Sequence, residues 1–394
     1  MEPSRIHRGH LRFILILGAL IAFAPLAIDM YLPAFPAIAA HFGASAGAVQ
    51  GTLAAYFIGI AVGQSVVGPL ADRYGRLPPL LVGISAFALA SIGAAHAPSI
   101  EWLTAARFVQ ALGGCAGIVI SRAMVRDLFE ERESAQIYSL LMLVMGVAPI
   151  LAPLFGGFLI AHFNWSFIFL FQAAFAAICF VAVWRGLGET LPPAGRTKRG
   201  LGSVLRAYVE LMQDRPYMAF TLANAFISAS MFAYITGASF VFISYHHLTP
   251  EQFALVFGFN ALGFIVGAQV NAWLLRRISG RTILGVATSV HLVAAASLLI
   301  LSYAAPAALV PLIVLLFVLL SCGGFIGANA VAAAMSRAQS NAGSAAALNG
   351  IVQFGAAACS GAVVGLLNDG TALPMAMVIA GLSLAGTLAR LAAR

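Results

Sequence analysis

Apolar residues along this chain gather into long runs separated by short polar junctions, and the runs recur from one end to the other. A run of about 18–25 apolar residues is long enough to cross a bilayer as a helix. Twelve such spans are predicted, at roughly 13–35, 47–71, 78–96, 101–121, 135–161, 164–184, 217–244, 253–275, 282–303, 308–333, 344–367 and 372–390. The expected fold class is therefore an all-α membrane protein. Arg5 to Arg12 followed by an apolar run has the outline of a signal peptide. The run from Phe13 to Phe42 is too long for one, and it is expected to be retained as span 1.

The one long polar stretch, Arg185 to Pro216, contains Pro192, Pro193, Gly195, Gly200 and Gly202 among Arg196, Lys198, Arg199 and Arg206. Such a composition predicts a linker with one surface helix near Val204–Met212. It divides the chain into a six-helix half at 1–185, a linker at 186–216 and a second six-helix half at 217–394. A transporter assembled from parallel repeats has this organisation. The junction after span 2 (Gly68–Arg76) and that after span 8 (Asn271–Arg281) echo each other, each ending in arginines with a nearby glycine.

Composition and charge refine this picture. Hydrophobic residues make up 61% of the chain and charged residues 9%, against about 25% charged in soluble domains. The net charge of +8 would suit a polyanionic partner, but its distribution argues otherwise. Every Lys and Arg except Arg107 falls at a terminus or at alternate junctions, among them Arg73, Arg76, Arg122, Arg126, Lys198, Arg276, Arg277, Arg281, Arg337 and Arg390. The remaining junctions carry His41, His96, Glu101, His162, His246, His247, Glu251 and Asp369. By the positive-inside rule both termini are cytoplasmic. The basic charge thus reports topology, and nucleic acid is not an expected partner. Cys115, Cys179, Cys322 and Cys359 all fall within spans, without metal-ligand spacing. No nucleotide loop, carboxylate pair or metal cluster is present, so neither an enzyme nor a metal or cofactor is expected. His291 lies inside a span and is expected to be a packed or hydrogen-bonded residue.

Two charged side chains, Asp29 and Arg107, sit well inside spans. A charge at such depth is costly and points to function. At roughly 1.5 Å per residue, Asp29 lies about 18 Å from His41 along span 1 and Arg107 about 16 Å from His96 along span 4. The opposite charges thus lie at similar depth on antiparallel spans, and each is the other's candidate partner. A static ion pair and a titrating site are both compatible with this placement.

Four segments carry a family resemblance. Gly63-Gln64-Ser65-Val66-Val67-Gly68-Pro69-Leu70-Ala71-Asp72-Arg73-Tyr74-Gly75-Arg76 resembles the loop between helices 2 and 3 of the major facilitator superfamily. Arg107-Phe108-Val109-Gln110-Ala111-Leu112-Gly113 resembles its buried-arginine motif. Gly146-Val147-Ala148-Pro149 with Ala152-Pro153-Leu154-Phe155-Gly156-Gly157 resembles its antiporter motif. Ala27-Ile28-Asp29-Met30-Tyr31-Leu32-Pro33 looks like the drug:proton antiporters of the bicyclomycin/chloramphenicol resistance branch. The chain departs from the pattern at Leu77, Ala111 and Ala152, which bear more on substrate range than on class.

The resemblance implies a bacterial inner-membrane efflux transporter that exports small amphipathic compounds in exchange for protons, as a monomer. Burial and a neighbouring cation act on a carboxylate in opposite senses, so Asp29 is the expected proton carrier and Arg107 the fixed charge that tunes it. Gly68, Asp72, Arg73, Gly75 and Arg76 are expected to gate, with Arg76 paired to Asp127 and Asp72 at the start of span 11 near Gly343-Ser344. Gly146, Pro149, Pro153, Gly156 and Gly157 are expected to bend span 5 and seal it against proton leak. Candidate cavity groups are Tyr31, Tyr56, Gln110, Met142, Met145, Phe226, Phe232, Tyr234, Asn260, Asn349 and Gln353. A proton-coupled exporter or importer of an endogenous metabolite or nutrient is the alternative. Against import, the spans of the second half contain no acidic residue.

Overall fold

Proline and glycine decide where the long apolar runs bend and end. The computed structural model describes residues 8–193, 196, 201–338 and 342–393, with side chains except at 8–10, 131, 132, 135, 136, 139, 142, 201–205 and 342. Among these residues all regular structure is helical, and twelve helical stretches are long and apolar enough to cross a membrane.

Span 1 differs from the continuous helix expected. It is built from α1 (Arg8–Ile21), α2 (Phe23–Ile28), a 3-10 turn (Leu32–Ala34) and α3 (Phe35–Phe42). Proline lacks an N–H and its ring crowds the carbonyl four residues back. Pro25 acts in this way on Ile21, where α1 ends, and Pro33 on Asp29, just after α2 ends. Asp29 therefore occupies a break in the helix. The broken stretch from Met30 to Phe35 is buried throughout.

Spans 2 to 6 are α4 (Ala46–Tyr74), α5 (Leu77–Ala95), α6 (Ile100–Leu128), α7 (Glu131–His162) and α8 (Ser166–Gly186). A surface helix, α9 (Leu201–Gln213), extends beyond Val204–Met212 at both ends; Gly195, Lys198, Arg199 and Gly200 lie outside the described residues. Spans 7 to 12 are α10 (Arg215–Ser239, continued by a π-helical Phe240–Tyr245), α11 (Pro250–Leu274), α12 (Gly280–Ala304), α13 (Leu309–Met335), α14 (Ala342–Leu366) and α15 (Leu373–Ala392). α7 starts four residues before the expected 135.

Polar caps fix several helix starts. Ser45, Ser99, Asp214, Thr249 and Ser279 each accept a backbone N–H in the first turn of the helix that follows. Gly43 ends α3 with φ +59°, a left-handed cap suited to glycine. In lipid, helices associate by close packing of small residues. Gly59 and Gly63 bring α4 onto Ala111 and Cys115 of α6, and Gly263 and Gly267 bring α11 onto Ser321 of α13.

The helices up to α8 pack among themselves, as do those from α10 onward, and the two sets meet through α4 with α14 and α7 with α11. The junctions rich in arginine share one face of the molecule, here called the basic face. At the opposite face the sets are tightly joined. Gly47 lies against the carbonyl of Gly365, Gln50 Nε2 donates to the Thr236 carbonyl at 3.2 Å, and Phe35 meets Phe240 at 6.0 Å between ring centres.

Candidate functional site

The core of the first six spans is organised around Arg107, which is fully buried on α6. Its Nη2 donates to the Ala27 carbonyl at 2.8 Å and its Nη1 to Gln110 Oε1. The rings of Tyr56 and Tyr31 lie 4.3 and 4.6 Å from the guanidinium carbon, and that of Phe169 lies at 5.8 Å. Gln110 Nε2 donates to Ser91 Oγ and to Gln172 Oε1, each at 2.7 Å, and Gln172 Nε2 reaches the Leu26 carbonyl at 3.0 Å. The Tyr31 hydroxyl shares a 2.8 Å hydrogen bond with Thr52 Oγ1.

The last carbonyls of a helix lack intrahelical partners and carry partial negative charge. Leu26 and Ala27 are the last-turn residues of α2, so the break in span 1 supplies the acceptors that hold Arg107 and Gln172. Desolvated cation–π contacts are worth about 2 kcal/mol, and hydrogen bonds to charged groups about 1.5–3 kcal/mol. Neutral groups thus hold the buried cation.

Asp29 is not among those groups. Among the described residues no ion pair joins it to Arg107, and its carboxylate has no hydrogen-bond partner, although it is only 5% exposed. Across the interface, Tyr234 is buried on α10. The Tyr234 hydroxyl accepts from Asn260 Nδ2 at 3.1 Å, and its ring stacks on Phe257 at 5.6 Å. Asn260 Oδ1 is buried without a partner.

The glycines of α7 face this region and α11. A side chain added at Gly156 would run into the Met30 carbonyl, directly beside Asp29. At Gly157 a Cβ would lie 3.2 Å from the Pro250 carbonyl, whereas at Gly146 the nearest atom, on Ile265, is 3.7 Å away. Pro149 and Pro153 lie within the helix itself.

At the basic face Arg76, 4% exposed, is bound on two sides. Its Nε donates to Asp127 Oδ2 at 2.8 Å and its Nη1 to Asp72 Oδ1 at 2.5 Å. Asp72 is half-exposed and bonded to Arg76, and the Cα of Gly343 in α14 faces open space. Gly75 has φ +96°, a left-handed conformation that disfavours a side chain. Arg73 lies over its neighbour Tyr74 at 5.4 Å, and no group crowds Gly68.

Glu189 and Thr190, just beyond α8, join this cluster although no spacing in the sequence links them to it. Glu189 accepts the backbone N–H of Arg76 at 2.8 Å and of Leu77 at 3.2 Å, and so caps α5. Thr190 Oγ1 donates to Asp127 at 3.2 Å. Desolvation opposes the Glu189 charge. The N–H donors of Arg76, Leu191 and Leu77, with Arg196 nearby, outweigh it and hold the carboxyl below its ordinary pKa.

The remaining candidate groups are scattered. Phe232 packs with Phe57 at 4.7 Å and Phe354 at 5.7 Å where the two sets meet. Gln353 Nε2 reaches Ser228 Oγ at 3.3 Å, and Asn349 is buried with Oδ1 unpartnered. Met145 and Phe226 are half-buried, and the Met142 side chain lies outside the described residues. The partners of Gln110 all lie on α5, α6 and α8, which places it inside the first set rather than at the interface. Thr52, Ser91 and Gln172 complete the arginine cluster; as neutral residues within apolar runs they gave no signal in the sequence.

Comparison with known proteins agrees with this architecture. The sequence model of the Major Facilitator Superfamily matches residues 17–362. The chain is 36% identical over 392 residues to an uncharacterized MFS-type transporter, YdgK, of Bacillus subtilis, covering 98% of this chain and 96% of that one. It is 31% identical over 363 residues to a bicyclomycin resistance protein homolog of Haemophilus influenzae, covering 92% and 91%. Among solved structures, a mutant of the nucleoside transporter NupG superposes with a TM-score of 0.76 at 12% identity, covering 97% of this chain and 99% of that one, a likeness of fold alone.

Proposed function

The chain belongs to the Major Facilitator Superfamily, and we propose that it exports small amphipathic compounds, antibiotics among them, in exchange for protons by alternating access. Relatives named for drug resistance support the substrate class. The basic face is the cytoplasmic one, with both termini there, in the inner membrane of a bacterium, and a single chain is the working unit.

One observation carries the coupling: Asp29 is buried at a helix break with no ion-pair or hydrogen-bond partner among the described residues, while both Nη atoms of Arg107 are bonded to other groups and only its Nε is left without a partner. An unpaired carboxylate at membrane depth is costly, and protonation removes that cost. Asp29 takes a proton from the face opposite the basic one and releases it inward as the compound binds. The 3-10 turn that follows Asp29 packs against α10 and α11 of the second set, so a change at the carboxyl bears on the interface that must open and close. The Arg76–Asp127 pair, clamped by Glu189, stiffens the basic-face junction around which the sets rock.

In proteoliposomes with an imposed proton gradient, the wild type is expected to move a fluorescent amphipathic dye, and Asp29→Asn to bind the dye yet move none against its gradient. Gradient-driven transport at the wild-type rate by Asp29→Asn would overturn the proposal. So would drug resistance that persists when a protonophore collapses the gradient in an efflux-deficient host.

A further inference from the structure

A second feature lies away from the interface between the two sets. Arg281, the neighbours Gly285 and Val286, and then Val290 follow one another at four- to five-residue steps along one side of α12. With Phe220 of α10 and Arg390 of α15 they line an open groove of about 780 Å3. From Arg281 to Val290 the groove descends about 14 Å at roughly 1.5 Å per residue.

Its two ends differ in chemistry. Arg281 stands in the first turn of α12 and Arg390 in the last turn of α15, both at the basic face. A Cβ at Gly285 would lie 3.1 Å from Arg390 Nη1, so this guanidinium crosses the groove one turn below Arg281. The deeper part is apolar: Val286 and Val290 are 61% and 44% exposed, and the Ser289 hydroxyl donates to the Gly285 carbonyl at 3.0 Å.

A cationic end at headgroup level and an apolar trough at acyl level match an amphiphile with an anionic head. We propose that this groove is a binding site for an anionic phospholipid, its phosphate between Arg281 and Arg390 and one acyl chain along Val286 and Val290. Basic pockets between helices at this face of a membrane protein suit lipid phosphates. A free phosphate would use only the upper end, and a zwitterionic lipid would bring its own cation against two arginines. Bound there, the lipid bridges α12 and α15 without entering the transport path.

The test is native mass spectrometry of the purified full chain, exchanged into micelles holding equal phosphatidylglycerol and phosphatidylethanolamine of the same acyl composition. The wild type is expected to retain phosphatidylglycerol selectively, and Arg281→Gln and Arg390→Gln each to lower that retention roughly fivefold, the effect of about one charge near an anionic headgroup. Arg281→Lys should restore most of it. Val290→Trp, which fills the trough and leaves the charges in place, should lower retention too, so the result does not depend on one variant folding. Equal retention of both lipids, or retention unchanged in the arginine variants, overturns the proposal. Displacement by millimolar glycerol phosphate does so as well, since it would mark a site for a free anion.

Discussion

Arg107 among the first six spans and His291 among the last six are both basic side chains buried inside their helices, yet their surroundings differ in kind. Arg107 is permanently charged, and it is held by two tyrosine rings, a glutamine and a carbonyl exposed by the break in span 1. His291 sits between Ser383 Oγ at 2.7 Å and Ser230 Oγ at 3.3 Å. Because the Ser230 hydroxyl donates to the Ile227 carbonyl, it accepts from His291 Nε2, and Nδ1 accepts from Ser383. A neutral imidazole is fully satisfied there. One set of spans therefore keeps a charge beside a helix break, and the other keeps a neutral, closed hydrogen-bond chain. Under the proposed function, coupling belongs to the first set and scaffold to the second.

The largest effect expected from breaking this contrast is at Arg107. Arg107→Ala strips the α2 carbonyl and Gln110 of a charged donor and should lower thermal stability by about 3 kcal/mol or more, together with loss of gradient-driven transport. Arg107→Met tests the two losses separately: it should recover melting temperature in detergent but not transport, because a hydrophobic replacement of a buried charge is often tolerated structurally. Wild-type transport by Arg107→Met would end the assignment of coupling to the first set.

Next in size is Gly156→Ala, which forces a methyl group against the Met30 carbonyl. Overpacking of this kind costs about 1–3 kcal/mol, and here it displaces the break that carries Asp29. Gly146→Ala, with its nearest neighbour at 3.7 Å, serves as the control and should transport normally. Equal behaviour of the two variants in a dye-efflux assay would detach the α7 glycines from the mechanism.

His291→Gln should cost about 1 kcal/mol through weakened hydrogen bonds and leave the pH dependence of transport unchanged. A shifted pH profile would move part of the coupling into the second set. The smallest effect is expected at Glu189, which is exposed. Its folded-state pKa is lowered, so its stabilisation is present above the ordinary carboxylate pKa and fades as pH falls through the lowered value. The melting difference between wild type and Glu189→Gln should accordingly shrink on acidification.

How much of this was legible beforehand follows from what each signal depends on. Twelve spans were readable because lipid demands long apolar runs, and α4, α5 and α6 lie close to where the runs put them. The apolar run of span 1 reads as one helix even though it holds Pro25, Pro33 and Pro36; proline tells where a helix can break, not whether its surroundings will shelter the break. Opposite charge makes Asp29 a candidate partner for Arg107 and leaves contact open; freed carbonyls and aromatic faces, which no linear pattern reveals, hold the arginine instead. Glu189 was hidden for a similar reason: it acts on residues more than a hundred positions away through a fold that first had to bring α8 beside α5.

The broken stretch from Met30 to Phe35 has a consequence for how the protein would look from the hydrocarbon phase. Peptide groups that have lost their helical partners survive at membrane depth only where protein excludes lipid, and this stretch is buried throughout. A photoactivated reagent dissolved in the acyl chains should therefore mark Leu15 on α1, which is 63% exposed, and pass over the middle of the same span. Span 1 would appear as a dark window in the labelling pattern, and the edges of that window would outline the helix break.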